Sequence, residues 1–258
     1  MKLTFLGTGT SFGVPQLGCG CAVCRSADPR DKRTRVGAAV ETDGGAVLLI
    51  DTPPELRLQL LATNITRVDA VLFTHLHADH THGIDDLRAI TAQRDAHLPM
   101  YGSAETLAGL EQKFDYIFDD RILAAPGSSK PKGRPIALAP GVPVRIADVE
   151  VIPVPLPHGP VTVYGYRIGP LAYVTDAQSM PDDAIDAMRG ARVLVINALF
   201  HRPHPSHLSV AEAIGAARRI GAEQTYLTHL THENSHAALE AELPPGIAPA
   251  YDGLSITV

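Results

Sequence analysis

His75-Leu76-His77-Ala78-Asp79-His80 decides how this chain is read. Three imidazoles and a carboxylate fall within six residues, directly after the apolar run Val71-Leu72-Phe73. The run from Val68 to Thr74 predicts a buried strand, because residues 70–73 are continuously apolar. An H-x-H-x-D-H segment at a strand end can hold two adjacent divalent ions. Such a pair activates water and clamps the oxygens of a displacement, so the segment points to a hydrolase. Imidazole and carboxylate ligands suit zinc, manganese and iron alike.

Composition narrows the classes. The 258 residues are 45% hydrophobic, enough for a sizeable core, and read as one α/β domain, 1–258. The net charge of -6 argues against a broad basic nucleic-acid footprint. No run of about 18 apolar residues predicts a membrane span. The amino-terminal segment lacks the apolar core of a signal peptide, and a cytoplasmic location is expected.

Further ligand types recur after predicted strands. His158 stands between Pro157 and Gly159, Asp176 follows the strand Leu171 to Val174, and His229 follows Thr225 to Thr228. With the hexapeptide they make seven candidate ligands: His75, His77, Asp79, His80, His158, Asp176 and His229. Asp176 is the natural bridge, since a carboxylate can span two ions. Asp51, at another strand end, is placed to orient a liganding histidine. His201, His204 and His207 lie in a loop that feeds a helix over 210–220, with Ser209 and Glu212 as its capping box. That helix end would suit a phosphate.

Cys19, Cys21 and Cys24 form C-x-C-x-x-C, a poor disulfide framework and a good metal clip. A closed tetrahedral zinc site asks for a fourth ligand elsewhere. The loop Gly7-Thr8-Gly9-Thr10-Ser11-Phe12-Gly13 lacks the helix that a dinucleotide fingerprint requires. Residues 38–42 and 46–50 predict a hairpin. Thr52, Pro53 and Glu55 predict a capped helix with Leu56, Leu60 and Leu61 as its buried stripe. Leu107, Leu110, Phe114 and Ile117 predict one helix over 105–118, and residues 119–135 a loop.

Together the H-x-H-x-D-H segment, Pro-His-Gly, Thr-Asp-Ala and Leu-Thr-His resemble the metallo-β-lactamase superfamily over the whole chain. The resemblance implies a four-layer αββα sandwich. It assigns His75, His77 and His158 to one metal and Asp79, His80 and His229 to the other, with Asp176 bridging and Asp51 behind the site. The cysteines, with His232 three residues after His229, further resemble the PhnP-like phosphoribosyl 1,2-cyclic phosphate phosphodiesterase branch. Tyr251-Asp252-Gly253 fits that branch too. This likeness implies two active-site divalent metals (zinc or manganese) and one structural zinc on Cys19, Cys21, Cys24 and His232, clipping a loop at about 14–35. It also implies His207 as the acid that protonates the leaving group.

The resulting expectation is hydrolysis of a small cyclic or nucleotide-like phosphodiester. A metal-bridging hydroxide attacks, and Asp79 and His207 belong to the catalytic set. His236 is a candidate substrate contact alongside His207. No stable nucleic-acid complex and no membrane partner are expected, and the clip loop is a candidate homodimer contact. Two alternatives stay open. A tRNA 3′-processing enzyme is weakened by the acidic charge and by the short stretch, residues 159–175, between His158 and Asp176. A PqqB-like binding or carrier protein is weakened by the intact ligand set.

Overall fold

The computed structural model describes residues 1–94 and 96–258. Strands β1 (Lys2–Gly7), β2 (Gly37–Glu41), β3 (Val47–Ile50), β4 (Ala70–Leu72), β5 (Leu98–Gly102), β6 (Gly133–Ala137) and β14 (Ser255–Thr257) form one sheet, ordered β14-β1-β2-β3-β4-β5-β6. The second sheet contains β7 (Val144–Ile146), β8 (Val149–His158), β9 (Val161–Ile168), β10 (Leu171–Tyr173), β11 (Val193–Asn197), β12 (Gln224–Thr228) and β13 (Ile247–Pro249), running from β13 at one edge to β7 at the other.

Alternation along the strands makes the layers, because successive side chains leave opposite faces of a sheet. Leu3, Phe5, Leu48, Ile50 and Leu72 from the first sheet share a core with Val151, Tyr166, Tyr173 and Val195 from the second. Their neighbours Leu6, Leu49, Val71 and Phe73 face outward, onto helices α1 (Leu56–Ala62), α3 (Arg88–Arg94) and α4 (Ala104–Lys113). Leu194 and Ile196 likewise face α6 (Asp182–Met188), α7 (Val210–Ile220) and α8 (His236–Glu242). Helices therefore cover both outer faces, giving the expected αββα sandwich. Two bonds tie the sheets together beside the hexapeptide: Tyr164 N donates to Thr74 O (2.9 Å), and the Tyr166 hydroxyl donates to Phe73 O (2.6 Å).

Several local expectations are corrected. Thr52 does not cap α1. Its N–H bonds His80 O and its hydroxyl bonds Thr81 O, while Glu55 pairs with Arg35. Leu61 is exposed, and Gln59 takes the buried position, donating to Thr34 Oγ1 and Arg35 O. The helix over 105–118 is broken at Phe114 into α4 and α5 (Asp115–Phe118). The loop at 119–135 ends in β6, and β13 is a further strand.

Candidate metal centre

The short helix α2 (Ala78–Thr81) carries the second half of the hexapeptide and is locked to the end of β3. Thr52 N donates to His80 O and Gly83 N to Thr52 O, both at 2.8 Å. A Cβ on Gly83 would lie 2.0 Å from Pro53 O, so this approach requires glycine. Parallel pairing in each sheet brings several strand carboxyl ends to one edge, where ligands gather in α/β folds. Three of the five non-glycine residues with positive φ among the described residues stand there: Asp51 (φ 64°), Asp176 (φ 59°) and His229 (φ 56°). A left-handed residue turns the chain sharply off a strand. It costs about 1–3 kcal/mol, which the packed surroundings must sustain.

Asp176 is the centre of the cluster. Its Oδ2 faces His75 Nε2 and His158 Nε2, each at 3.9 Å, and its Oδ1 faces His80 Nε2 at 3.3 Å and His229 Nε2 at 3.4 Å. Donor atoms of His75, His77, His158 and Asp176 lie within 4.8 Å of one another, and so do those of Asp79, His80 and His229. The seven candidate ligands thus assemble in one place.

Fixed hydrogen bonds aim the rings. His80 Nδ1 donates to Asp51 Oδ2 (2.7 Å), and Asp51 also accepts from Thr74 N and Thr74 Oγ1 (both 2.8 Å). His158 Nδ1 donates to Ser206 O (2.8 Å), and His75 Nδ1 pairs with Thr74 Oγ1 (3.0 Å). In each case Nε2 is left for the cluster. Buried His75 Nε2, His80 Nε2 and both nitrogens of His229 have no hydrogen-bond partner. Polar atoms so deeply buried are costly without one.

Burial holds His75 well below the usual imidazole pKa and His229 down to about 4, which keeps them neutral with lone pairs free for a cation. Burial also opposes charge on His80, but Asp176 and Asp51 outweigh it and push that ring well above the usual value. In the absence of an ion, a proton on His80 answers the two carboxylates. These orphaned donors and this chemistry fit divalent ions bound through imidazole nitrogen and carboxylate oxygen.

A cavity of about 320 Å³ opens onto the cluster. His77, Asp79, His158, Asp176, His207 and His229 reach it. His207 Nε2 lies 3.2 Å from Asp176 Oδ2, and its Nδ1 is 2.9 Å from Ser206 Oγ. His204 also lines the cavity, its ring centroid 5.3 Å from that of His207, whereas exposed His201 pairs with Glu242. Two expectations fail here. His236 is buried against Tyr251 and does not line the cavity. The α7 end takes up its own polar groups through the Ser209–Glu212 capping box, and none of its first turn reaches the cavity. Sequence reading missed Thr10, Ser11, Phe12, Leu199, Phe200 and Ser206, which form the remaining wall together with Thr231.

The second cluster is the clip. His232 Nδ1 lies 3.2, 3.8 and 3.5 Å from the Sγ atoms of Cys19, Cys21 and Cys24. Zinc bonds of about 2.3 Å to sulfur and 2.0–2.1 Å to nitrogen give a tetrahedral edge of about 3.6 Å, so these four side chains fit a closed zinc site. The cysteines form no disulfide. Arg33, fully buried, fastens the segment bearing His232: it donates to Thr231 O (2.8 Å) and Asn234 O (2.7 Å) and pairs with Asp31 (3.3 Å).

An αββα sandwich with histidine and carboxylate clusters at the strand ends defines the metallo-β-lactamase fold with a candidate metal centre. The chain belongs to the beta-lactamase superfamily domain family, whose model matches residues 47–230. It is similar to a solved structure described as a new diphosphatase from the PhnP family, with 39% identity, a TM-score of 0.90, and coverage of 99% of this chain and 96% of that one. An octanoyltransferase of Porphyromonas gingivalis is 39% identical over 263 residues, covering 100% of this chain and 52% of that protein. The chain therefore spans about half the length of that relative. The coenzyme PQQ synthesis protein B of Methylobacterium nodulans is 37% identical over 101 residues, 34% of either chain. Zinc-bound PqqB of Methylobacterium extorquens shares the fold at 20% identity, with a TM-score of 0.75 and full coverage of both chains. Among the described residues no helix is long and apolar enough to cross a membrane.

Proposed function

We propose that this chain hydrolyses a small phosphoric diester at a two-ion centre. His75, His77 and His158 hold one ion, Asp79, His80 and His229 hold the other, and Asp176 spans both. The observation that carries this reading is the split of Asp176, with one oxygen toward each donor set. When bound, the ions supply an activated water and neutralise charge on the phosphoryl oxygens. Zinc and manganese both suit the donors. The likeness over nearly the whole chain to a PhnP-family protein supports a phosphoric substrate.

The protein groups have separate tasks. Ser206 steadies two rings at once, His158 through its carbonyl and His207 through its hydroxyl. His207 holds a proton at Nε2, beside Asp176 and open to the cavity, and passes it to the leaving oxygen. A cavity of about 320 Å³ lies at the small end of ligand pockets. Among the described residues no lysine or arginine lines it, which disfavours a polyanion such as tRNA. The transferase name belongs to a relative about twice as long, of which this chain matches 52%.

A diphosphate linkage is the second reading, favoured by the description of the PhnP-family neighbour. Phosphate leaves more readily than an alkoxide and needs less protonation, so the two readings differ in their demand on His207. Metal-loaded protein should be tested on a cyclic ribose phosphate, cyclic nucleotides, an aryl phosphodiester, a dinucleoside diphosphate, a tRNA precursor and a β-lactam. Turnover of a small diester with a loss of about 10²–10⁴-fold in His207→Ala, metal content retained, is the expected result. Turnover of the diphosphate alone, with His207→Ala nearly unaffected, selects the second reading. Binding of these compounds without any turnover would leave a carrier protein and sink both.

A further inference from the structure

The cavity wall opposite in character to the ligand cluster is aromatic. Phe12, on the turn after β1, lines the cavity and is 68% exposed, so its ring is open to a ligand there. Phe200, beyond the end of β11, lines the same cavity beside Leu199. Its ring is braced from outside: the Arg202 guanidinium carbon sits 3.9 Å from the ring centroid, and Arg202 pairs with Glu233 at 2.5 Å. A guanidinium over an aromatic face is attractive, and the acid removes its net charge. Glu233 in turn follows His232 directly, and both Thr231 and Asn234 bond Leu199 O. The Phe200 wall is thus held firmly by its neighbours.

We propose that Phe12 and Phe200 are specificity-determining residues that receive a flat aromatic ring of the substrate, a nucleobase or an aryl group, while its phosphate meets the ion centre. The inference rests on the phosphoric-ester reading above and names the part of the substrate that this reading leaves open. Phe12, Leu199 and Phe200 offer that part of the substrate apolar faces. Aromatic side chains accept any base by stacking, so the wall selects for a ring rather than for one sequence or base identity.

The test measures binding, so that it stands apart from turnover. Adenosine 5′-monophosphate and ribose 5-phosphate carry the same phosphate and sugar and differ in the base. Titration calorimetry with the metal-loaded protein should show adenosine monophosphate bound about ten-fold more tightly. Phe12→Ala and Phe200→Ala should each pull that ratio toward one, and Phe12→Trp should keep it. Because the ratio is taken within each variant, damage to the ion centre cancels. Equal affinities in the unsubstituted protein, no binding of either compound at full metal content, or an undiminished ratio in both alanine variants would overturn the inference. A protein that shows the preference but hydrolyses no ester would overturn only the proposed reaction.

Discussion

The histidine–carboxylate cluster and the cysteine clip meet at the ends of one tetrapeptide, His229 to His232, yet they are built by opposite rules. The first gathers its donors from both sheets, through Asp176, His158 and His229 from one and the hexapeptide from the other. It is buried on the protein side and open to a cavity on the other. The second takes three donors from one short loop and closes on a single distant histidine. Nitrogen and oxygen donors around an open cavity leave room for water and substrate. A closed tetrahedron of thiolates and imidazole leaves none and contributes to folding instead. Donor sets of three or four side chains therefore serve different ends, and the difference lies in the open side.

The sharpest way to break this contrast is to remove the shared carboxylate. Asp176→Ala should lower hydrolysis by about 10³-fold or more, because several kcal/mol of charge stabilisation is lost. Metal analysis should then find only the thiolate-bound ion. Retention of the active-site ions would show that Asp176 is no bridge. Cys21→Ser attacks the other side. Loss of a structural metal ranks among the largest single-residue effects, and unfolding should become easier by roughly 4 kcal/mol. Hydrolysis by the folded fraction should change less than about ten-fold, since Arg33 still fastens residues 231–234. An unchanged urea midpoint in Cys21→Ser would remove the structural role.

The two regions also differ in how far sequence alone reveals them. The hexapeptide and the clip are local patterns, and both are legible because metal ligation demands fixed residue types at fixed spacing. The sandwich is legible through the resemblance of these motifs to the metallo-β-lactamase superfamily, while the strands β1 to β4 and β11, apolar on both faces, do not by themselves say which side chains join the inter-sheet core. Strands β6 and β13 escaped because both are short edge strands, Gly-Arg-Pro-Ile-Ala and Ile-Ala-Pro, without an apolar run long enough to read. The cap at Thr52 misled because tertiary bonds to His80 and Thr81 claim that residue. Phe12, Phe200 and Ser206 left no trace, since single residues on separate loops carry no period. The positive φ angles of Asp51, Asp176 and His229 offer a retrospective hint, as Asp and His enter that region more readily than most residues.

Asp51 offers a finer cut between the two regions. It is not among the residues that line the cavity, but it fixes His80 and the Thr74 backbone from behind, and it is fully buried. In Asp51→Asn one oxygen becomes an NH2 group. That group cannot accept both the Thr74 hydroxyl and His80 Nδ1, so one donor is left facing another. His80 should then lose its fixed tautomer, and active-site metal affinity should fall about 10–100-fold. At the clip Arg33 acts on the backbone of its segment rather than on the His232 ring. Competition with a chelator should therefore separate the two populations in Asp51→Asn, with the thiolate-bound ion released at its original rate and the histidine-bound ions sooner. Equal retention of all ions would mean that packing alone aims His80, and that the carboxylate behind it is dispensable.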